Sequence, residues 1–380
     1  MMKNNKKSLG LYIHIPFCVK KCNYCDFLSF PAEKKIYRDY AKLLAGEMAL
    51  WQERLSGFQI DTIFIGGGTP SLLDENDMEV ILKGLHNYFS LKNLQEFTIE
   101  CNPGTVSPEK FSLYKQWGVN RISIGMQSAI DDELSLLGRI HTFDTFLKSY
   151  EQARKAGFHN INIDIMSAIP SQTRNSYQKT LQEVIFLNPE HISSYSLIVE
   201  EGTPFYTLYG DEPPVEEETD RLMYEDTGRF LKKAGYHRYE ISNYAREGKE
   251  CLHNLKYWKR ENYLGLGLGA SSFMDHSRFS NVRDYNAYRE TIKEGEFPEG
   301  ERERLSEQDE MAEFMFLGLR CMEGVSVADF SECFGTKIET VYEKAIGDSI
   351  KEGLLKRRGD RIFLTERGID VSNRVFERFL

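Results

Sequence analysis

The chain has 380 residues, of which 41% are hydrophobic and 28% charged, a balance typical of globular proteins with two or three domains. It contains no run of about 18 apolar residues, which argues against a membrane span, and its net charge of −10 argues against a nucleic-acid partner. An odd number of cysteines, seven, favours a reducing cytoplasm, and no apolar signal core follows the basic residues 1–8.

Three cysteines follow the first predicted strand, Gly10–Ile15. Cys18, Cys22 and Cys25 are spaced C-x3-C-x2-C. Three thiolates on one short loop suit three irons of a [4Fe-4S] cluster and leave the fourth iron open to a ligand that is not protein. Structural zinc sites favour four ligands in paired motifs, and no second pair lies nearby. The spacing therefore favours a cluster over zinc, over a disulfide framework and over three unrelated buried thiols.

Strand-like and helix-like segments alternate up to about residue 200. The remaining predicted strands are Thr62–Ile65, Glu96–Glu100, Arg121–Gly125, Asn160–Ile165 and His191–Leu197. The predicted helices are Lys35–Arg54, Glu75–Tyr88, Pro108–Trp117, Phe143–Ala156 and Thr173–Leu187. This alternation predicts an α/β fold with a parallel sheet and helical crossovers, either a doubly wound sheet or a barrel.

Glycine and polar residues stand where the predicted strands end. They are Gly66–Gly68 with Thr69 and Pro70, then Glu100 followed by Asn102 and Pro103, then Gln127, then Asn162 and Asp164. Ligands of parallel β/α folds bind at the carboxyl ends of the strands, so these groups are expected to converge on one rim. Each also has a structural interpretation: a tight turn for the glycines, a solvated strand end for the acids, and a surface cation for Arg139. The shared rim position favours a functional role.

The H-N-x-x-Y-W stretch from His253 to Trp258 stands out in residues 200–300. In a helix His253 and Tyr257 lie on one face, and both residue types are known heme ligands, although a lone histidine is more often structural. Cys251 is better interpreted as a buried thiol. The glycines of Gly265–Ala270 resemble a dinucleotide fingerprint, but no βαβ unit surrounds them, so we reject that interpretation.

Residues 301–380 have a different pattern. Helices are predicted at Gln308–Gly318, Val327–Phe334 and Ile338–Glu352, followed by a hairpin over 353–364 and a terminal amphipathic helix. This order predicts a winged-helix-like α+β module. Its mixed charges argue against DNA binding.

Together, the cysteine spacing, its setting Tyr12-Ile-His-Ile-Pro-Phe-Cys18, the glycine turn and the H-N-x-x-Y-W motif resemble the radical S-adenosylmethionine superfamily. Within it, the chain is similar to the branch that holds the oxygen-independent coproporphyrinogen III dehydrogenases and the heme chaperones. The resemblance implies a partial (β/α)6 barrel, open on one side, over residues 1–210, an α/β extension over 211–300 and the C-terminal module over 301–380. It also implies that S-adenosylmethionine chelates the open iron and that the cluster can release a 5′-deoxyadenosyl radical from it.

The resemblance also implies roles for single residues. Tyr12, Gly68 and Glu100 match contacts to the S-adenosylmethionine on the cluster. Positions that hold a second S-adenosylmethionine in the dehydrogenase match Tyr24, Thr69, Pro70, Gln127, Arg139 and Asp164. His253 and Tyr257 are the heme candidates, because H-N-x-x-Y-W is typical of the heme chaperones.

Three functions compete at this stage: a heme chaperone, a coproporphyrinogen III dehydrogenase, and a plain iron–sulfur electron carrier or sensor. The dehydrogenase typically has a further cysteine where this chain has Phe27, and a longer N-terminal extension. Both differences favour a cytoplasmic chaperone that binds heme and delivers it to an apo-hemoprotein, with a respiratory cytochrome, a membrane-protein recipient and a homodimer as possible partners. Whether radical chemistry occurs, and so whether the chain is an enzyme, stays open. An electron carrier explains neither the rim residues nor the chain length.

Overall fold

A computed structural model describes residues 6–380, and residues 1–5 of the basic N-terminal stretch lie outside this range. The first half contains six strands: β1 Lys7–Ile15, β2 Phe58–Gly67, β3 Glu96–Cys101, β4 Arg121–Gln127, β5 Ile161–Ser167 and β6 His191–Ser196. Between them lie α1 Lys34–Trp51, α2 Glu75–Tyr88, α3 Pro108–Gln116, α4 Asp131–Leu136, α5 Phe143–Lys155 and α6 Arg174–Leu187. The predicted alternation of strands and helices is confirmed.

The six strands are parallel, and each one pairs with its successor in the chain. Right-handed crossovers between successive neighbours put all the helices on one face of the sheet. A doubly wound sheet instead reverses its strand order and has helices on both faces. The sheet order therefore selects a partial (β/α)6 barrel, the architecture that the family resemblance implied.

The middle of the chain extends this sheet at both edges. Its strands are β7 His237–Arg238, β8 Asn243–Ala245, β9 Tyr263–Leu266, β10 Ser271–Met274, β11 Ser277–Asn281 and β12 Glu299–Arg304. Its helices are α7 Pro204–Tyr209, α8 Glu217–Lys233, α9 Leu252–Trp258 and α10 Tyr285–Glu294. The sheet runs β12-β11-β10-β9-β1-β2-β3-β4-β5-β6-β8-β7 and does not close. The glycine-rich hairpin β9–β10 thus widens the sheet beside β1 and leaves it open.

Along each parallel strand, side chains alternate between the apolar core under the helices and the interior of the barrel. Apolar side chains such as Leu11, Ile63, Ile99 and Ile124 are fully buried against the helices. Neighbouring positions turn the other way, because successive side chains of a strand point to opposite faces. The interior is consequently lined by polar and aromatic residues, and this polar lining is where the candidate site lies.

The C-terminal domain has its own sheet and its own apolar core. It comprises α11 Glu307–Gly318, β13 Val325–Ser326, α12 Val327–Phe334, α13 Ile338–Lys351, β14 Leu355–Arg358, β15 Arg361–Leu364, α14 Glu366–Asp370 and α15 Ser372–Phe376. The strands form an antiparallel sheet in the order β13-β15-β14, as a winged-helix-like module requires. The predicted single terminal helix is wrong: Val371, with φ −121° and ψ 35°, leaves helical geometry and divides it in two.

The predicted domain boundaries near residues 210 and 300 stay predictions. One large core extends from Leu9 to Ile292 and crosses residue 210, whereas a second core begins at Met311. Within residues 6–380, no helix is both long and apolar enough to cross a lipid bilayer.

Candidate functional site

The cysteine loop lies at the mouth of the barrel, beyond the end of β1. Backbone hydrogen bonds fix it on three sides. Cys18 N donates to Phe30 O (3.1 Å), Asn23 N donates to Leu137 O (3.0 Å), and Asn23 O accepts from Phe205 N (3.0 Å). The three thiols remain partly exposed while the backbone that carries them is held. The backbone of the loop is therefore held by neighbouring segments, while its sulfur atoms stay accessible.

The surroundings of the thiols fit an anionic metal cluster. An Arg139 Nη1 group lies 3.8 Å from Cys22 Sγ, and the Thr69 hydroxyl lies 3.5 Å from Cys18 Sγ. Burial raises the pKa of Cys25, so a nearby cation or metal is needed to hold it as a thiolate. In residues 6–380 no three ligand side chains are grouped for a single metal ion. In a cubane cluster each thiolate binds its own iron, so its ligands stand farther apart than those of one zinc ion.

Arg139 connects the loop to the ends of β3 and β4. Its Nη2 donates to Asn102 Oδ1 (2.9 Å) and to Gly125 O (3.1 Å), and Asn102 Nδ2 donates to the Thr69 hydroxyl (2.8 Å). Burial raises the pKa of Tyr24, and the adjacent Arg139 guanidinium opposes that rise. The alternative interpretation of Arg139 as a surface cation is therefore wrong, since its fork is bound on the inner side of the loop.

The glycine turn after β2 packs directly against the end of β1. Gly68 N donates to Ile15 O (2.8 Å), and a Cβ at Gly68 would lie 2.7 Å from Phe17 O. Gly67 has φ +111°, which favours glycine, and its N–H donates to Glu100 Oε2 (3.1 Å). Pro70 then opens a short 3-10 turn. Close backbone approach explains the glycines, and their position also sets Glu100 beside the turn.

Gln127 ends β4 in a left-handed conformation, with φ 66°. A non-glycine residue rarely adopts this conformation, and such residues cluster at functional sites. Gly125 lacks a Cβ, which would lie 2.9 Å from Gln127 Nε2 and 3.3 Å from Arg139 Nη2. The glycine thus lets the Gln127 amide and the Arg139 guanidinium approach the same point.

A cavity of about 160 Å³ occupies the barrel interior. Tyr12, Glu100 and Asp164 line it from the strands, and Tyr257 lines it from α9. Asp164 accepts hydrogen bonds from Asn162 Nδ2 (2.7 Å) and from the Ser123 hydroxyl (3.1 Å). Burial, and then repulsion from Asp164, raises the pKa of Glu100 to about 8. The cavity thus offers aromatic faces and carboxyl groups to a ligand from the mouth.

Helix α9, which carries the H-N-x-x-Y-W motif, contributes Asn254 and Tyr257 to the wall of this cavity. His253 is fully buried and stacks on Phe64, with ring centroids 5.5 Å apart. Its Nδ1 lies 2.9 Å from the Thr62 hydroxyl and its Nε2 lies 2.8 Å from Tyr257 Oη. Burial lowers the pKa of His253 to about 3, so the ring is neutral. Both ring nitrogens are engaged, and ligation of iron would have to replace one of these bonds.

Buried polar contacts fix α9 in this position. The Glu96 carboxylate accepts from Leu252 N (2.8 Å) and His253 N (3.1 Å), at the first turn of the helix. At the other end Lys256 Nζ pairs with Asp61 (2.9 Å) and Glu261 (2.8 Å). Acids at a helix N-terminus are favourable because the free N–H groups and the helix dipole point at them. The H-N-x-x-Y-W stretch is helical, so His253 and Tyr257 lie on one face, and the anchoring of the helix could not be predicted from its own sequence.

The predicted site residues fall into two groups. Around the thiols lie Tyr24, Thr69 and Arg139 with Gly68, Pro70 and Gln127, and around the cavity lie Tyr12, Glu100, Asp164 and Tyr257. Asn102, which directly follows the third strand, is one of the groups expected at the rim, although no cofactor contact is predicted for it. Arg121 is not predicted, because an arginine at the start of a strand carries no local sign of burial.

Comparison with known proteins assigns the chain to a family. Residues 12–184 match the radical SAM superfamily, and residues 305–371 match the HemN C-terminal domain. The heme chaperone HemW of Bacillus subtilis is 37% identical over 97% of this chain and 98% of its own length. The chain belongs to the HemW family. A second HemW, from Escherichia coli, is 35% identical over 98% of both chains.

A solved structure agrees with the HemW assignment at the level of the fold. Escherichia coli coproporphyrinogen III oxidase (HemN), described as a radical SAM enzyme, superposes with a TM-score of 0.85 over 98% of this chain and 90% of its own. Its sequence identity is 21%. This HemW-family chain therefore shares the HemN fold throughout, including the C-terminal domain.

Proposed function

We propose that the chain is a heme chaperone, which binds heme and transfers it to an apo-hemoprotein. The names of its HemW relatives support this function. The observation that carries it is the position of α9: Tyr257 of the H-N-x-x-Y-W motif and the predicted cofactor contacts Tyr12 and Glu100 line one cavity. Heme binding and cofactor binding would then be coupled through shared walls.

The mouth of the barrel would hold the cofactors. Cys18, Cys22 and Cys25 would bind three irons of a [4Fe-4S] cluster, and Arg139 would offset the negative charge of the thiolates. Tyr12, Gly68 and Glu100 would contact the S-adenosylmethionine on the cluster. When bound, such a cluster supplies one-electron chemistry beside the sulfonium. We assign Tyr24, Thr69, Pro70, Gln127, Arg139 and Asp164 to a second S-adenosylmethionine.

Apolar side chains around the mouth support an apolar ligand there. Val19 and Phe27 on the cysteine loop are 54% and 64% exposed, and Ile140 beside it is 64% exposed. Val19 and Ile140 line the same groove, together with Lys20. A porphyrin has an apolar face and anionic carboxylates, so this combination of apolar and cationic side chains is complementary to it.

The axial ligand is the part of the proposal that the geometry constrains most. His253 is neutral, as an iron ligand must be, but its Nε2 is bound to Tyr257. That bond would be lost if His253 Nε2 bound the iron, and it would equally be lost if Tyr257 Oη did. The two candidates therefore compete for one position.

Two substitutions distinguish them in an anaerobic heme titration of the cluster-loaded protein. If His253 is the ligand, His253→Ala removes the Soret shift, whereas Tyr257→Phe keeps it and strengthens binding because Nε2 is freed. If Tyr257 is the ligand, Tyr257→Phe removes the Soret shift. His86→Ala, on the exposed side of α2, is the control. Unchanged spectra and affinities in both variants would remove the pair from the heme site.

The recipient, its possible membrane location and a homodimer stay predictions, as does the cytoplasmic location. A test with a purified apo-cytochrome asks whether heme leaves the chain on addition of the acceptor. If wild-type protein shows no saturable heme binding, the chaperone proposal fails, and oxidative decarboxylation of coproporphyrinogen III becomes the reaction to assay.

A further inference from the structure

The cavity wall contains a buried cation that forms no ion pair with any of residues 6–380. Arg121, the first residue of β4, is 2% exposed and is among the largest fully buried side chains. Its Nε has no hydrogen-bond partner among the described residues, and the guanidinium forms no ion pair with them. Arg121 lines the cavity, as does Asn254 of α9. A buried charge of this kind is costly unless it is paired.

The acids near Arg121 are occupied elsewhere. Glu96 and Asp164 act on Arg121 through space, without a hydrogen bond to it. Glu96 accepts from the N-terminus of α9, and Asp164 accepts from Asn162 and Ser123. Each carboxylate therefore has its own donors, while Arg121 lines the cavity with an Nε–H that has no acceptor among the described residues.

We propose that the Arg121 end of the cavity binds an aliphatic carboxylate. A guanidinium fork matches a carboxylate in a bidentate geometry, and the Asn254 amide on the cavity wall provides a further donor. A singly charged group fits better than a phosphate, because Glu100 and Asp164 already line the cavity.

The volume of the cavity limits the size of the group that can enter it. At about 160 Å³ it is smaller than the roughly 300 Å³ at which pockets hold drug-sized molecules. A tetrapyrrole ring could reach His253 or Tyr257 only after α9 moves, whereas a short carboxylate can enter the cavity as it stands. The carboxylate has two possible sources: a free short-chain acid, or the propionate arm of a heme whose ring stays outside the cavity. The second source rests on the proposed heme function, whereas the first does not.

Calorimetric titration of the full chain with propionate tests the first source. Propionate is expected to bind saturably, and Arg121→Met is expected to weaken it about tenfold or more, because charge-assisted bonds are lost. Propionamide, which is neutral and of the same shape, is expected not to bind. Arg320→Met is the matched control, since Arg320 also has an unpartnered Nε but does not line the cavity.

The thermal stability of the ligand-free variant separates a binding role from a structural one. Removing an unpaired buried cation is expected to leave Tm unchanged or higher in Arg121→Met. A Tm lowered by several degrees, with propionate affinity unchanged, would show that Arg121 only supports the fold and would overturn the proposal. If Arg121→Met does not fold, Arg121→Lys keeps the charge without the fork and is expected to weaken propionate binding several-fold.

Heme and its dimethyl ester test the second source. If a propionate arm enters the cavity, wild-type protein binds heme about tenfold or more tightly than the ester, and Arg121→Met abolishes the difference. The proposal is overturned if propionate does not bind and heme and ester bind equally. If neither heme nor ester binds, the proposed chaperone function fails, while the propionate titration still decides the role of Arg121.

Discussion

The two motifs of this chain are held in opposite ways. The cysteine loop at the mouth is fixed through its backbone, so Cys18, Cys22 and Cys25 remain partly exposed. Helix α9 is fixed through its side chains, so His253 and Lys256 are buried and bonded. One motif has free reactive atoms on a rigid backbone, and the other has its reactive atoms bound to the protein.

The two motifs therefore differ in what has to happen before a ligand can bind to them. The thiols of the cysteine loop are partly exposed, and the hydrogen bonds that reach Cys18 and Cys22 can persist when a thiolate binds a metal. The α9 motif can reach a ligand only if the His253–Tyr257 bond opens, so its contribution to heme binding carries a conformational cost. Since α9 and the predicted cofactor contacts line one cavity, we expect occupancy at the mouth to change that cost.

The largest expected effect is at the mouth. Cys22→Ser is expected to abolish the [4Fe-4S] absorbance and electron paramagnetic resonance signals, because a serine hydroxyl replaces a thiolate poorly. Cys333→Ser, at an exposed cysteine of α12, is the control and should retain both signals. An intact cluster in Cys22→Ser would contradict the assignment of the three cysteines.

The next effect concerns the anchoring of α9. Glu96→Ala removes the acceptor of two backbone N–H groups, which remain beside the barrel interior, and is expected to lower the free energy of unfolding by about 3 kcal/mol. Glu96→Gln retains one oxygen and should lose less. Chemical denaturation measures both, and hydrogen exchange should report faster exchange in α9. Full protection of the α9 amides in Glu96→Ala would contradict this anchoring.

A smaller effect is the pH dependence contributed by the cavity. The pKa of Glu100 is raised from 4.5 to about 8, so the folded state favours its protonated form. Its contribution to stability is present at low pH and is lost as pH rises from about 4.5 to about 8. Because the cavity admits water, which screens the charge, we expect the free energy of unfolding to fall by roughly 2 kcal/mol over this pH range, which is less than the whole pKa shift would give. Denaturation of the ligand-free chain at several pH values should show a flatter profile for Glu100→Gln, with exposed Glu33→Gln as control. Parallel profiles for wild type and Glu100→Gln would remove this assignment.

Many residues of the mouth could be predicted from the sequence, because each belongs to a short motif that is recognisable by itself. Cysteine spacing, the glycine turn and the residues at strand ends lie within short segments, and parallel strands bring their carboxyl ends to one rim. The four-residue spacing of His253 and Tyr257 is likewise local, and it puts both side chains on one face of α9. Arg139 was ambiguous because its partners, Asn102 and Gly125, come from other strand ends.

The remainder depends on contacts between distant segments. Strand β9 pairs with β1 across about 250 residues, and its short glycine-rich sequence has no strong strand signal. The burial of Lys256 depends on Asp61, which lies 195 residues earlier. Arg121 has no local feature that distinguishes it from a surface arginine at a strand start. Its role emerges only when six strands and α9 enclose the cavity.

The most direct test of the account is an anaerobic heme titration of the cluster-loaded chain, with and without S-adenosylmethionine, followed by absorbance. The account predicts saturation at one heme per chain with a distinct Soret band, and an affinity that changes when S-adenosylmethionine is present. Saturable binding with an identical affinity in both conditions would contradict the coupling through the shared cavity. Absence of saturable binding would contradict the chaperone function itself.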